Sequence, residues 1–121
     1  MTPTAANSAR ARLATRDFDR LYRAPDRHAR SRHFLVLARQ HPGAGLRWGL
    51  TVKARLGSAV ERNRVKRRVR EILRHGHGQL PAGWDVVVQP RTREVASADF
   101  AALSHELVEL LERTLCPTET R

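Results

Sequence analysis

Between Arg62 and Arg70, six of nine residues are cationic: Arg62, Arg64, Lys66, Arg67, Arg68 and Arg70, with Asn63 among them. Guanidinium groups are planar forks that meet phosphate oxygens two at a time, an ammonium adds a mobile point charge, and an asparagine amide adds a directed hydrogen bond. This is chemistry for gripping a phosphate backbone. Breaking a bond calls instead for clustered carboxylates around metal ions, or for a histidine acid and base. Asp17 and Asp19 stand two apart on an expected helix and diverge, Glu61 reads as a cap, and Asp85 stands alone at a strand start. His75-Gly76-His77 lacks further ligands in sequence and reads as a glycine turn after a helix. No glycine-rich phosphate loop or nucleophile motif appears, so no catalytic residue and no metal ligand is assigned.

The cations need a rigid carrier. Ser58-Ala59-Val60-Glu61 has the S-x-x-E form of a capping box, and Gly76 supplies a C-terminal stop. On the helix between them, Val65, Val69, Ile72 and Leu73 form one apolar stripe, with Asn63, Arg67 and Arg74 roughly opposite. Lys66 and Arg70 flank the stripe on one side, Arg64 and Arg68 on the other. Arg62 falls near the apolar edge, where it must reach out or find a partner. Burying the four aliphatic side chains contributes roughly 1.5–3 kcal/mol each. Like-charge pairs such as Arg64/Arg68, Lys66/Arg70 and Arg70/Arg74 cost only about 0.2–0.5 kcal/mol each. The fold tolerates the repulsion without gaining from it, which points to a polyanion-binding face rather than ordinary solvated surface.

Around this helix the pattern predicts the order α-β-β-α-β-α, with room for an extra short strand. Thr15 can cap a short first helix carrying Phe18, Leu21 and Tyr22 on one side. His33 to Arg39 reads as a strand; after the turn composition of residues 41–45, Trp48, Leu50 and Val52 alternate in a second, antiparallel strand. Trp84 to Pro90, dense in valine, reads as a buried strand. Ser97 opens the last helix, with Phe100, Leu103, Leu107, Leu110 and Leu111 inward and Glu106, Glu109 and Glu112 outward.

The 121 residues suit one domain, expected over 13–115, between a disordered basic tail (1–12) and a short C-terminal tail (116–121). The first sixteen residues hold three arginines and no acid, a composition shared by organellar transit peptides; a basic tail is the reading adopted. Cys116 is the single cysteine, so no internal disulfide or CxxC site is available and a reducing, cytoplasmic setting is expected. No run has the apolar length of a membrane span, and no membrane partner is expected. The net charge of +11 is unevenly placed: residues 1–93 hold 21 of the 23 Lys and Arg but six of the twelve acids. Such a lopsided chain is suited to a partner rich in phosphate.

The stretch GLTVKARLGSAVERNRVKRRVRE, with Arg62-Asn63-Arg64-Val65-Lys66-Arg67-Arg68-Val69-Arg70-Glu71 at its centre, resembles the signature of the bacterial ribonuclease P protein component. The likeness extends in order through Asp17-Phe18 and Tyr22, Arg32 to Phe34, Gly49-Leu50, Gly57, Ala59-Val60 and Val86 to Val88, covering roughly residues 13 to 114. It implies a small single-domain α-β sandwich in which the basic helix makes a left-handed crossover between parallel strands, against the usual preference. It also implies a noncatalytic, monomeric subunit, one per catalytic RNA. That RNA uses Mg2+ to remove the 5′ leader of precursor tRNA.

By the same resemblance Arg62, Asn63, Arg64, Lys66, Arg67, Arg68 and Arg70 face the ribonuclease P RNA, and a cleft between the first helix and the sheet holds the single-stranded leader. There Phe18, Tyr22 and Phe34 offer flat surfaces to unpaired bases, while Lys53 and Arg55 neutralise the adjoining backbone. Core packing is the competing role for the three aromatics; Trp48 and Trp84 are assigned to the core or the sheet edge. The family often has SVSKK where this chain has Thr51-Val52-Lys53-Ala54-Arg55, so a cation is displaced by one position and strand pleating would redirect it. Leu37 stands where some members carry an aromatic. A structural RNA-binding protein of ribosomal type is the alternative reading, and an autonomous metal-dependent nuclease a third.

Overall fold

The computed structural model describes residues 15–41, 45–76 and 80–116. The expected tails at 1–12 and beyond 116, the centre of the 41–45 turn, and His77 lie outside the described residues. The elements are α1 (Thr15–Arg23), β1 (Arg27–Arg30), β2 (Phe34–Gln40), β3 (Leu46–Leu50), α2 (Ala59–Gly76), β4 (Trp84–Pro90) and α3 (Phe100–Leu115). Short 3-10 turns occupy Ala54–Leu56 and Arg93–Ala96. β1 is the extra short strand.

One mixed sheet has the order β1-β2-β4-β3. β4 pairs antiparallel with β2 and parallel with β3, so the chain returns from β3 to β4 through α2. β2 and β3 do run antiparallel, but β4 lies between them and they do not pair. The side chains of β4 alternate across the sheet. Val86 and Val88 join Phe34, Val36, Val65, Val69, Ile72, Leu103 and Leu107 in the main core, whereas Val87 faces Leu21 and Leu37 beneath α1. Two helices therefore cover one face and α1 the other, which explains why all seven residues of β4 are buried.

Four sequence expectations are corrected. Phe34 is 0% exposed and belongs wholly to the main core, because the pleat of β2 points it toward α3 with Val36 and Ala38. β3 ends at Leu50, so Lys53-Ala54-Arg55 sit in and before a 3-10 turn rather than on a pleated strand. The last helix is capped by Asp99, whose Oδ2 accepts from Ala102 N at 2.9 Å; Ser97 belongs to the turn before it. Glu106 is not left outside: it receives the Ser31 hydroxyl, the His33 amide at 2.8 Å and His33 Nδ1 at 2.8 Å. Burial of its carboxyl would raise the pKa, but the hydrogen bonds from His33 and Ser31 outweigh it and hold the group below the usual range.

Candidate nucleic-acid interface

The start of α2 is fixed from both ends of its capping box. Ser58 N donates to Glu61 Oε1 at 2.9 Å, and Glu61 N donates to Ser58 Oγ at 3.1 Å. The Ser58 amide, and then the charge of Arg93, hold the Glu61 carboxyl below its ordinary range. Gly57, at φ 134°, makes the reversal into the helix, and a Cβ there would collide with Glu61. With this end held and Val65, Val69, Ile72 and Leu73 buried against the core, the rotation of α2 is set. Every cation on the helix then has a defined direction.

The motif divides into two groups. Arg62 turns back, donating from Nε to Gly57 O at 3.2 Å, which is the partner its edge position required. Arg68 also points into the protein: its NH1 donates to Val95 O at 3.0 Å and Ala98 O at 2.7 Å, and its guanidinium stands 5.7 Å from the centre of the Phe100 ring. Arg68 thus ties α2 to the turn that launches α3. Asn63, Arg64, Arg67 and Arg70 are exposed and Lys66 half-buried, and these five side chains have no hydrogen-bond or ion-pair partner among the described residues. The stripe ends at Glu71, which takes Arg74 at 2.5 Å and His75 at 2.8 Å, bonds that lower its pKa.

On the opposite sheet face, α1 crosses β4 with Leu21 seated on Leu37 and Val87. Half-buried Phe18 lies against Gly49, the close approach that a side chain on β3 would block. Tyr22 is 43% exposed, and its hydroxyl donates to Gln89 Oε1 at 2.8 Å. Lys53 and Arg55 are exposed just past β3, where Thr51 N bonds Val88 O at 3.1 Å and holds the segment against β4. Phe18 and Tyr22 therefore lie on the α1 face of the sheet, Lys53 and Arg55 are exposed beyond the end of β3, and Phe34 is withdrawn into the core on the other face. Trp84 is buried and Trp48 packs partly buried against the core, both as expected.

Two ionic clusters escaped the sequence reading. Asp85, on the α1 face, accepts from Arg47 Nε at 2.8 Å and NH2 at 2.7 Å and lies 3.1 Å from His41 Nδ1. Burial would raise this acid, but the bonds from Arg47 and His41 prevail and its pKa is lowered. The second is Ser31–Glu106–His33. Both groups donate to the same carboxylate rather than to each other, so no nucleophile–base relay forms. Among the described residues, no group of three or more His, Cys, Asp or Glu could hold a metal ion.

The family profile described as ribonuclease P matches residues 8–115. A ribonuclease P protein component of Thermotoga petrophila is 36% identical over 116 residues, covering 93% of this chain and 97% of the relative. The chain belongs to the ribonuclease P protein family. A second relative, from Stutzerimonas stutzeri, is 37% identical over 105 residues, with 84% and 76% coverage. Among solved structures, the ribonuclease P protein of Thermotoga maritima superposes with a TM-score of 0.76 at 36% identity, covering 84% of this chain and 96% of its own. The Staphylococcus aureus protein gives 0.72 at 25% identity, covering 84% and 92%.

Membership makes this chain the protein component of the endoribonuclease that matures tRNA 5′ ends, with ribonuclease P RNA as its partner.

Proposed function

We propose that this ribonuclease P protein grips its catalytic RNA through the open cations of α2 and holds the 5′ leader of precursor tRNA in the cleft at Tyr22. The observation that carries the proposal is the separation of the two surfaces: α1 and α2 pack on opposite faces of one sheet, so a single copy can touch two RNAs at once. Asn63, Arg64, Lys66, Arg67 and Arg70 are the primary contacts to the catalytic RNA, with Arg62 and Arg68 supporting them from behind. Tyr22 and the edge of Phe18 supply flat surfaces for unpaired bases, and Lys53 and Arg55 neutralise leader phosphates. The protein acts as a monomer, one per RNA, in the cytoplasm where precursor tRNAs are made. Magnesium belongs to the RNA subunit, and reduced repulsion between the two RNAs lowers the concentration needed. Reconstitution with a bacterial ribonuclease P RNA, carrying photo-cross-linkers at Arg67 or Tyr22, tests this assignment. Cross-links from position 67 to the catalytic RNA and from position 22 to the leader are expected, with leader removal restored at low magnesium. Cross-links from position 22 to the catalytic RNA alone would overturn the leader assignment.

A further inference from the structure

Arg30 on β1 pairs with Leu35 on β2, and Leu35 pairs with Gln89 on β4. Residues paired across neighbouring strands point to the same face, and Leu35 packs in the cluster beneath α1. Arg30, Leu35 and Gln89 thus form one row across the sheet on the face that carries Tyr22. With strands about 4.8 Å apart, the row extends about 10 Å from Gln89 to the sheet edge.

Each member has a distinct chemistry. Gln89 is only 8% exposed, and Tyr22 holds its Oε1, so the amide is fixed in orientation. Its Nε2 has no partner among the described residues and is not sealed from solvent. A rigid donor on a sheet face beside an exposed aromatic ring is what reading the edge of an unpaired base requires. Leu35 continues the floor as half-buried apolar surface. Arg30 is exposed, and its side chain has no partner among the described residues.

Cations on an edge strand can serve simply to discourage sheet-to-sheet association. On β1, however, the two arginines are used differently. Arg27, on the other face, is consumed by the protein: NH1 donates to Thr114 O at 3.0 Å, and the guanidinium sits 4.8 Å from the Trp84 ring centre. Arg30 alone is left open, and it is aligned with Gln89.

We infer that the leader path runs past Tyr22 along the row Gln89–Leu35–Arg30, with Gln89 selecting a base and Arg30 holding a more distal leader phosphate. This rests on the leader assignment above and adds a specificity residue and a second phosphate contact to it. The test uses holoenzyme reconstituted with the catalytic RNA and a ladder of precursor tRNAs whose leaders grow one nucleotide at a time. A second set carries each of the four bases at every leader position. Gln89→Glu keeps an acceptor for Tyr22 and replaces the outward donor. It should alter the ratio of kcat/KM among the four bases by about two- to tenfold at one position. Arg30→Gln should shrink the affinity gained between short and long leaders and reduce the salt slope of that gain by about 0.7.

Tyr22→Ala separates the two layers of the argument. If it lowers the ladder while Gln89→Glu and Arg30→Gln leave every ratio at the wild-type value, the row is not part of the path and the cleft assignment stands. If Tyr22→Ala leaves the ladder unchanged as well, the cleft assignment fails and the row falls with it.

Discussion

Gly49 and Phe18 are in such close contact that a Cβ added to Gly49 would overlap the end of the Phe18 ring. Gly49 lies in β3, opposite Val87, so the ring of α1 is seated directly on the backbone of the parallel pair. The glycine therefore sets the height of α1 above the sheet. Gly49→Ala should destabilise the protein by about 1–3 kcal/mol through overpacking and lower leader affinity further by lifting α1. Phe18→Ala in the same chain should relieve the clash. A double-mutant cycle by denaturant unfolding measures this, and additive effects of the two substitutions would contradict it.

Arg68 and Arg67 are neighbours in sequence with opposite tasks. Arg67 is exposed and unpartnered among the described residues, whereas Arg68 binds the carbonyls of Val95 and Ala98. Hydrogen bonds from a charged donor contribute roughly 1.5–3 kcal/mol, so Arg68→Ala should lower Tm markedly. Arg64→Ala and Arg67→Ala should leave Tm near wild type and weaken assembly with the catalytic RNA. Val69→Asp, which places a charge at a fully buried core position, should unfold the chain. Thermal melts alongside RNA binding give the comparison, and equal Tm losses across the three arginine variants would contradict it.

What the sequence revealed follows the range of the forces involved. The Ser58–Glu61 box, the α2 stripe and the valine strand depend on residues within a turn or a strand of one another, and all three are found. β1 reads as Arg-His-Ala-Arg and has little apolar signal; its place comes from pairing with β2. Ser97 and Asp99 are both capping residue types, and the 3-10 turn at Arg93–Ala96 decides between them. The inward turn of Arg68, the loss of Phe34 to the core, and the capture of Glu106 by Ser31 and His33 depend on segments about 27 to 75 residues away. Local spacing has no access to those contacts, and chemically similar residues such as Arg67 and Arg68 cannot be sorted without them.

Acid should act on the fold through Glu106 and Asp85. Both have lowered pKa values in the folded protein. The stability each contributes is therefore present above its unfolded value, about 4.3 for Glu and 3.9 for Asp. It is lost as pH falls through the lower folded value, because the unfolded chain binds the proton first. Glu106→Gln removes the ionised acceptor that orders Ser31 and His33, so it should destabilise at pH 7 and by much less near pH 3. Denaturant unfolding of wild type and variant at both pH values tests the sign, and a difference that widens in acid would contradict it.

Salt should report how many phosphates the protein engages. On α2, Arg64, Lys66, Arg67 and Arg70 have no partner among the described residues, and Lys53 and Arg55 are likewise exposed and unpartnered just past β3. Arg62 and Arg68 are tied to backbone carbonyls, and Arg74 to Glu71, so they contribute less to counterion release. If about six phosphates are neutralised, log affinity for RNA should fall against log salt with a slope of about −4 to −5. Replacing Arg64 or Arg67 by Ala should reduce that slope by nearly one each, and replacing Arg68 should change it little once measured below the melting range of the variant. A total slope near −1 would mean that the open cations of α2 do not meet phosphates. A full unit lost on removing Arg68 would mean that its guanidinium leaves the Val95 and Ala98 carbonyls when RNA binds.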